Sequence, residues 1–198
     1  MRLAHISTGE IFRHEIARGT PLGRRVQRYV TTGRLVPDQL VVDVMASHLT
    51  PTLLRQGFVL DGFPRTRRQA AGLDQVLARK QAPLDGAVYL TSPQDLLIRR
   101  LSGRRVCKRC GANYHIRTMK PKRDGQCDRC RGILTTRKDD QIQTIRKRLQ
   151  VDRASTAPLL AHYRNKRLLQ LLDGRGHIQT VFGRAQKLFR RKQWLARG

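Results

Sequence analysis

Three short apolar runs do most to limit the fold of this chain. Gly57-Phe58-Val59-Leu60 ends on Asp61-Gly62-Phe63-Pro64-Arg65, Ala87-Val88-Tyr89-Leu90 is closed by Thr91-Ser92-Pro93, and His177-Ile178-Gln179-Thr180-Val181 forms the third. Runs this short suit strands of a parallel sheet buried on both faces, and longer stretches of helical periodicity separate them. The expected class is therefore α/β, a parallel sheet flanked by helices. His5-Ile6 reads as a further strand end, and a helix follows it. Ser7 and Glu10 have the capping-box spacing, Ile11, Phe12 and Ile16 line one face, and Gly19 stops the helix. Thr31-Thr32-Gly33 marks a turn. A second helix begins after Pro37-Asp38, with Leu40, Val41, Val44, Met45 and Leu49 at helical spacing.

Residues 103–140 break this alternation. They hold all four cysteines, few aliphatic residues and many charges, so something other than an apolar core must hold them. Cys107-x-x-Cys110 and Cys127-x-x-Cys130 lie 16 residues apart. Two such knuckles set four thiolates in a tetrahedron around Zn²⁺, with no open position left for chemistry, so the metal expected here is structural. The flanking Lys108, Arg109, Arg129 and Arg131 are expected to favour the thiolate forms. A long helix resumes from Asp139-Asp140 with Ile142, Ile145 and Leu149 on one side. Pro158 is expected to interrupt it before Leu159, Leu160 and Tyr163 continue.

Charge points to the ligand. The 198 residues carry 41 Lys and Arg against 14 Asp and Glu, a formal charge of +27, and only nine of the cations are Lys. Guanidinium forks grip phosphate oxygens in pairs, so a polyanionic ligand is expected. Asp61 and Arg65 sit at the carboxyl end of a strand, where open α/β sheets bind ligands; there Arg65 can hold a phosphate and Asp61 can orient hydrated Mg²⁺. Arg13, Arg34, Arg65, Arg100, Arg104, Arg137 and Arg148, if gathered about one cleft, would supply the positive field that phosphoryl transfer requires. No stretch approaches the ~20 apolar residues that span a bilayer. The N-terminus is too short in apolar run for a secretory signal, and paired cysteines suit the cytoplasm or another reducing compartment such as an organelle matrix.

In the order in which they occur, several segments carry a resemblance across nearly the whole chain. They are His5-Ile-Ser-Thr-Gly-Glu10 with Arg13, Gly33-Arg-Leu-Val-Pro-Asp38, Gly57 to Thr66 with Gln69, Gly103-Arg-Arg-Val106, the four Cys, Asn113-Tyr-His115, Arg137-Lys-Asp-Asp140, Arg146-Lys-Arg-Leu149 and Thr156-Ala-Pro-Leu159. The chain resembles the adenylate kinases, in the zinc-lid branch of the nucleoside monophosphate kinases. The resemblance implies a core of residues 1–102 and 141–198, with a nucleoside monophosphate segment at about 7–36, and a zinc-binding lid at 103–140. It implies AMP contacts at Thr8, Arg13, Arg34, Leu35, Val36, Gly62, Phe63, Pro64, Arg65 and Gln69, with Arg137 and Arg148 reaching the phosphates. ATP is expected at Arg100, Arg104, Asn113, Tyr114 and Gly176, with Mg²⁺ accompanying it. Arg65, Arg100, Arg104, Arg137, Arg148 and Asp61 are the expected catalytic group.

One departure stands out. The family opens with a strand, a G-x-x-x-x-G-K-[ST] loop and a helix before the His-Ile-Ser-Thr segment, which here starts at residue 5, and none of the nine lysines is followed by Ser or Thr. That loop cradles phosphates and helps hold Mg²⁺, so impaired turnover is expected. Without the family's central strand, three explanations stand: the sequence is a fragment or a start-site misassignment of an ordinary enzyme, the two halves of the sheet close directly on each other, or a partner supplies a strand to an otherwise monomeric chain. The excess charge supports a second expectation, an inactive basic relative that binds RNA or a ribosome. Residues 103–140 hold 12 Lys and Arg against four acids, and the tail from Arg184 to Arg197 holds six cations and no acid.

Overall fold

The computed structural model describes residues 3–194, so Leu195 and Arg197 of the basic tail, like Met1, lie outside the described residues. Strand β1 (Ala4–Ser7) runs straight into α1 (Thr8–Ala17); α2 (Pro21–Thr32), α3 (Asp38–His48) and α4 (Pro51–Gln56) follow before β2 (Phe58–Asp61). After α5 (Arg67–Arg79) come β3 (Ala87–Thr91) and α6 (Gln94–Ser102). A small antiparallel module holds β4 (Arg104–Cys107), β5 (Asn113–His115) and β6 (Leu134–Thr135), with β4 in the middle. A 3₁₀ turn (Lys138–Asp140) leads into α7 (Ile142–Asn165), then β7 (Leu169–Asp173) and α8 (Ile178–Arg191).

The parallel α/β class is present, as two separate two-stranded ladders. β1 pairs β2 from Ala4↔Phe58 to Ser7↔Asp61, and β3 pairs β7 from Ala87↔Leu169 to Thr91↔Asp173. Among the described residues no ladder joins the two, so the halves do not close on each other. Helices hold the spacing: α7 packs on α5 in one half and on α6 and β7 in the other. β2 and β3 therefore each keep an unpaired edge, and Val59 and Leu90 are exposed rather than buried on both faces. The main apolar core lies wholly within the first half, where Ile6, Phe12, Val26, Met45, Leu49, Leu73 and Leu77 pack together.

Several local expectations are corrected. Ser7 occupies the position before α1 but makes no side-chain cap bond, because β1 pairing carries the backbone directly into the helix. Thr31 and Thr32 belong to α2, which Thr20 caps through a 3.0 Å bond from the Gly23 N–H, with Pro21 in the first turn. Gly33 ends α2 at φ +69°, where a β-carbon would come within 2.7 Å of Arg148 Cγ, so both the left-handed turn and the close approach of α7 require glycine. Pro158 lies inside a continuous 24-residue α7. It removes one backbone donor, while Ser155 and Thr156 hydroxyls bond the preceding turn and Ile145 and Tyr163 anchor the helix on either side. The segment His177–Val181 is not a strand: His177 Nδ1 accepts from the Gln179 N–H and caps α8, and the strand is the leucine-rich Leu169–Asp173.

Candidate functional site

One open pocket forms above the carboxyl ends of β1 and β2. The first turns of α1 give it Thr8, Gly9, Phe12 and Arg13, the end of α2 and the following loop give Val30, Gly33, Arg34, Leu35 and Val36, and α3 gives Val41. Gly62, Arg65 and Gln69 come from the β2–α5 connection, and Asp139, Arg148 and Asp152 from the α7 side. The Thr8 hydroxyl donates to the Gly62 carbonyl at 3.1 Å, and Arg65 Nε donates to the same oxygen at 2.9 Å. This fixes Arg65 with its terminal nitrogens toward the pocket. Gln69, almost fully buried, accepts from the Arg65 N–H at 2.8 Å and donates to Asp38 at 2.9 Å. Asp38 also receives the Thr66 hydroxyl at 3.0 Å. The sequence reading missed Asp38 as a site-building residue, though its place after Pro37 at a helix start was the available signal.

On the α7 side of the pocket Arg13, Arg104, Arg137 and Arg148 gather around Asp139 and Asp140. Arg104 grips Asp140 with two bonds, Nε to Oδ2 at 2.7 Å and Nη2 to Oδ1 at 2.5 Å. Arg148 Nη1 meets Asp139 Oδ2 at 3.3 Å, and Arg137 Nη2 donates to Asn113 Oδ1 at 2.9 Å. The surplus positive charge is felt by the group itself. Burial, with Arg13 and Arg104 close by, brings Arg137 down to about 10, and burial likewise lowers Arg13 against the pull of Asp139. A guanidinium does not give up its proton at neutral pH; it takes an anion instead.

Other expected site residues lie elsewhere. Asp61 is exposed at the end of β2 and lies 3.5 Å from His5 Nε2. Phe63 is buried and Pro64 half-buried, so these two shape the loop that carries Arg65. Arg100 is not drawn into the arginine cluster: its Nη1 and Nη2 donate to the carbonyls of Gly174 and Gly176, each at 2.9 Å, tying α6 to the loop after β7. Tyr114 faces inward, with its hydroxyl accepting from the Asp128 N–H at 2.8 Å and lying 3.4 Å from Cys127 Sγ.

That hydroxyl belongs to the thiol cluster. The four sulfurs of Cys107, Cys110, Cys127 and Cys130 lie within 4.8 Å of one another, with Cys107 and Cys130 3.4 Å apart. Tetrahedral Zn²⁺ with Zn–S bonds of about 2.3 Å needs sulfurs at about this spacing, so the residues present fit the metal. The Tyr114 hydroxyl, with backbone N–H groups of Cys130 and Arg129, brings Cys127 down to about 6. For Cys127 the Tyr114 hydroxyl is the largest cause of this lowering.

Comparison with known proteins agrees with this geometry. The family model described as "Adenylate kinase" matches residues 1–168. The adenylate kinase of Clostridium tetani is 45% identical over 180 residues, 91% of this chain and 83% of that protein. That of Moorella thermoacetica is 45% identical over 181 residues, with the same shares. The adenylate kinase of Carboxydothermus hydrogenoformans is 44% identical over 180 residues, covering 91% and 84%. With the arginine cluster, the thiol quartet and these relatives in agreement, the chain belongs to the adenylate kinase family.

Proposed function

We propose that the pocket above β1 and β2 holds AMP and that the arginine cluster behind it receives the phosphates of MgATP, so that the γ-phosphoryl passes to AMP and two ADP result. The gathering of Arg13, Arg34, Arg65 and Arg148 beside an apolar wall carries this reading. Phe12, Val30, Val36 and Val41 offer a surface for the base, with Thr8, Leu35, Gly62 and Gln69 around it. The γ-phosphorus loses its bond to the β,γ-bridging oxygen of ATP and gains one to an AMP phosphate oxygen. Arg104 and Arg137 are placed to stabilise the charge between them. Mg²⁺ accompanying ATP would supply charge neutralisation at the phosphates, and Asp61 would orient its hydration shell. Arg100 serves by holding the Gly174–Gly176 loop, and Asn113 by steering Arg137. Cys107, Cys110, Cys127 and Cys130 would hold Zn²⁺, which would staple the lid at 103–140 so that it covers the donor side and excludes water, with Tyr114 supporting the staple. Reduced thiols of this kind suit the cytoplasm or a similar compartment. Among the described residues no helix is long and apolar enough to cross a membrane.

The 198 residues contain no G-x-x-x-x-G-K-[ST] motif, so this sequence by itself lacks the backbone cradle that holds ATP phosphates. Its turnover is accordingly slow unless a further segment or partner supplies that cradle and a strand between β2 and β3. One observation favours a second reading, a basic relative that binds RNA or a ribosome: Lys108, Arg109, Arg117, Lys120, Lys122, Arg123 and Arg129 are all exposed on the small module. A coupled ADP-formation assay beside an RNA titration at several salt concentrations decides between them. Turnover above about 1 s⁻¹ ends the RNA reading, whereas undetectable turnover with RNA affinity falling steeply with salt ends the kinase reading.

A further inference from the structure

Asp152 stands in the pocket, where an anionic ligand has no use for a carboxylate. It projects from α7 into the space lined by Arg13, Arg34, Arg65 and Arg148, and its Oδ1 lies 3.8 Å from Arg65 Nη1. The other pocket carboxylate, Asp139, is buried and engaged by Arg148 at 3.3 Å. Asp152 differs: its side chain is 39% exposed, and among the described residues the cation it meets is Arg65. Arg65 has already given its Nε to the Gly62 carbonyl, so the terminal nitrogens are what remain for a phosphate. Asp152 faces one of these.

We infer that Asp152 is an internal counter-anion that occupies Arg65 in the empty pocket and must yield it to the phosphate of the acceptor nucleotide. The inference rests on reading this pocket as the AMP site. A phosphate arriving at Arg65 breaks the ion pair and leaves Asp152 beside a dianion, so each term opposes binding. Asp152 therefore tunes how much nucleoside monophosphate is needed to fill the site. The ion pair is half-exposed and worth only a modest factor, which suits a tuning residue rather than a block. The Ser155 and Thr156 hydroxyls bond the Asp152 backbone carbonyl, contacts that a substitution of its side chain leaves in place.

Calorimetric titration of the full chain with AMP tests this, using wild type, Asp152→Asn and Asp152→Glu, each checked for an unchanged melting temperature. Asp152→Asn is expected to bind AMP about threefold tighter, with the gain shrinking in high salt, and Asp152→Glu to return toward wild type. A gain of affinity is an outcome that mere structural damage does not produce. Equal or weaker AMP binding by Asp152→Asn overturns the inference while leaving the AMP site intact. Absence of saturable AMP binding in all three folded proteins overturns the site assignment, and the inference falls with it.

Discussion

The half of the molecule built on β1 and β2 and the half built on β3 and β7 use the same parallel pairing, yet they are finished to different degrees. In the first half a continuous apolar core runs from Ile6 to Leu77, and helices cover it. In the second half Leu172 and Leu188 are buried, while Tyr89, Leu90, Leu171, Ile178 and Phe182 stand in water. The pocket above β1 and β2 belongs to the finished half. Among the described residues both ladders keep unpaired strand edges, but only in the second half do so many apolar side chains beside them lack cover. An exposed edge beside apolar surface is a site that accepts more chain. The lesson is that the same parallel pairing can be buried by helices in one half of a chain and left partly bare in the other.

The contrast can be broken or sharpened by experiment. The largest effect is expected from the third region, the thiol module. Removing Zn²⁺ with a chelator, or substituting Cys127→Ser, withdraws a metal contribution of about 10 kcal/mol on the scale of zinc-finger peptides. Limited proteolysis should then cut within 103–140 and leave the β1–β2 half protected. Simultaneous loss of both would show that the halves stand or fall as one body. Next comes the core itself. Leu49→Ala, at a fully buried position, should cost about 2–5 kcal/mol in urea unfolding. Leu171→Ala, at a site 59% exposed, should stay within about 0.5 kcal/mol. Equal costs would erase the distinction between finished and open halves.

Much of this division was legible in the residues, for physical reasons that also explain the failures. Phe58–Asp61 was found because an apolar run that short, stopped by Gly62, has few alternatives to a strand. Helix α2 went unread because its apolar side chains, Leu22, Val26 and Val30, recur every fourth residue among arginines, and only Thr20-Pro21 announced it. β7 was displaced to His177–Val181 since β-branched Ile178, Thr180 and Val181 favour strands locally, whereas pairing with β3 selects the leucines of 169–173. The pocket arginines were recognisable individually. Asp38 and Asp152 were not, because each joins the pocket's surroundings through partners 28 or more residues away, as Asp38 does with Thr66.

Two smaller tests probe each half in turn. Gly33→Ala forces a β-carbon onto Arg148 at a left-handed φ, and should cost about 1–2 kcal/mol with weaker AMP binding. An unaffected AMP affinity would separate the α2 turn from the placement of Arg148. In the open half, hydrogen bonds from Arg175 hold Asp173 down at about 2, below its ordinary 3.8. A carboxylate depressed in this way stabilises the folded state above its ordinary value and ceases to do so as pH falls toward 2. Melting temperature should therefore drop between pH 4 and pH 2 less steeply in Asp173→Asn than in the wild type, by a small margin.

The adjacent aspartates of the 3₁₀ turn divide their attention: Asp140 holds Arg104 of the thiol module and Asp139 holds Arg148 of α7. Two neighbouring residues thus tie the thiol module and the long helix to one short stretch of chain, so the two regions share a single anchorage.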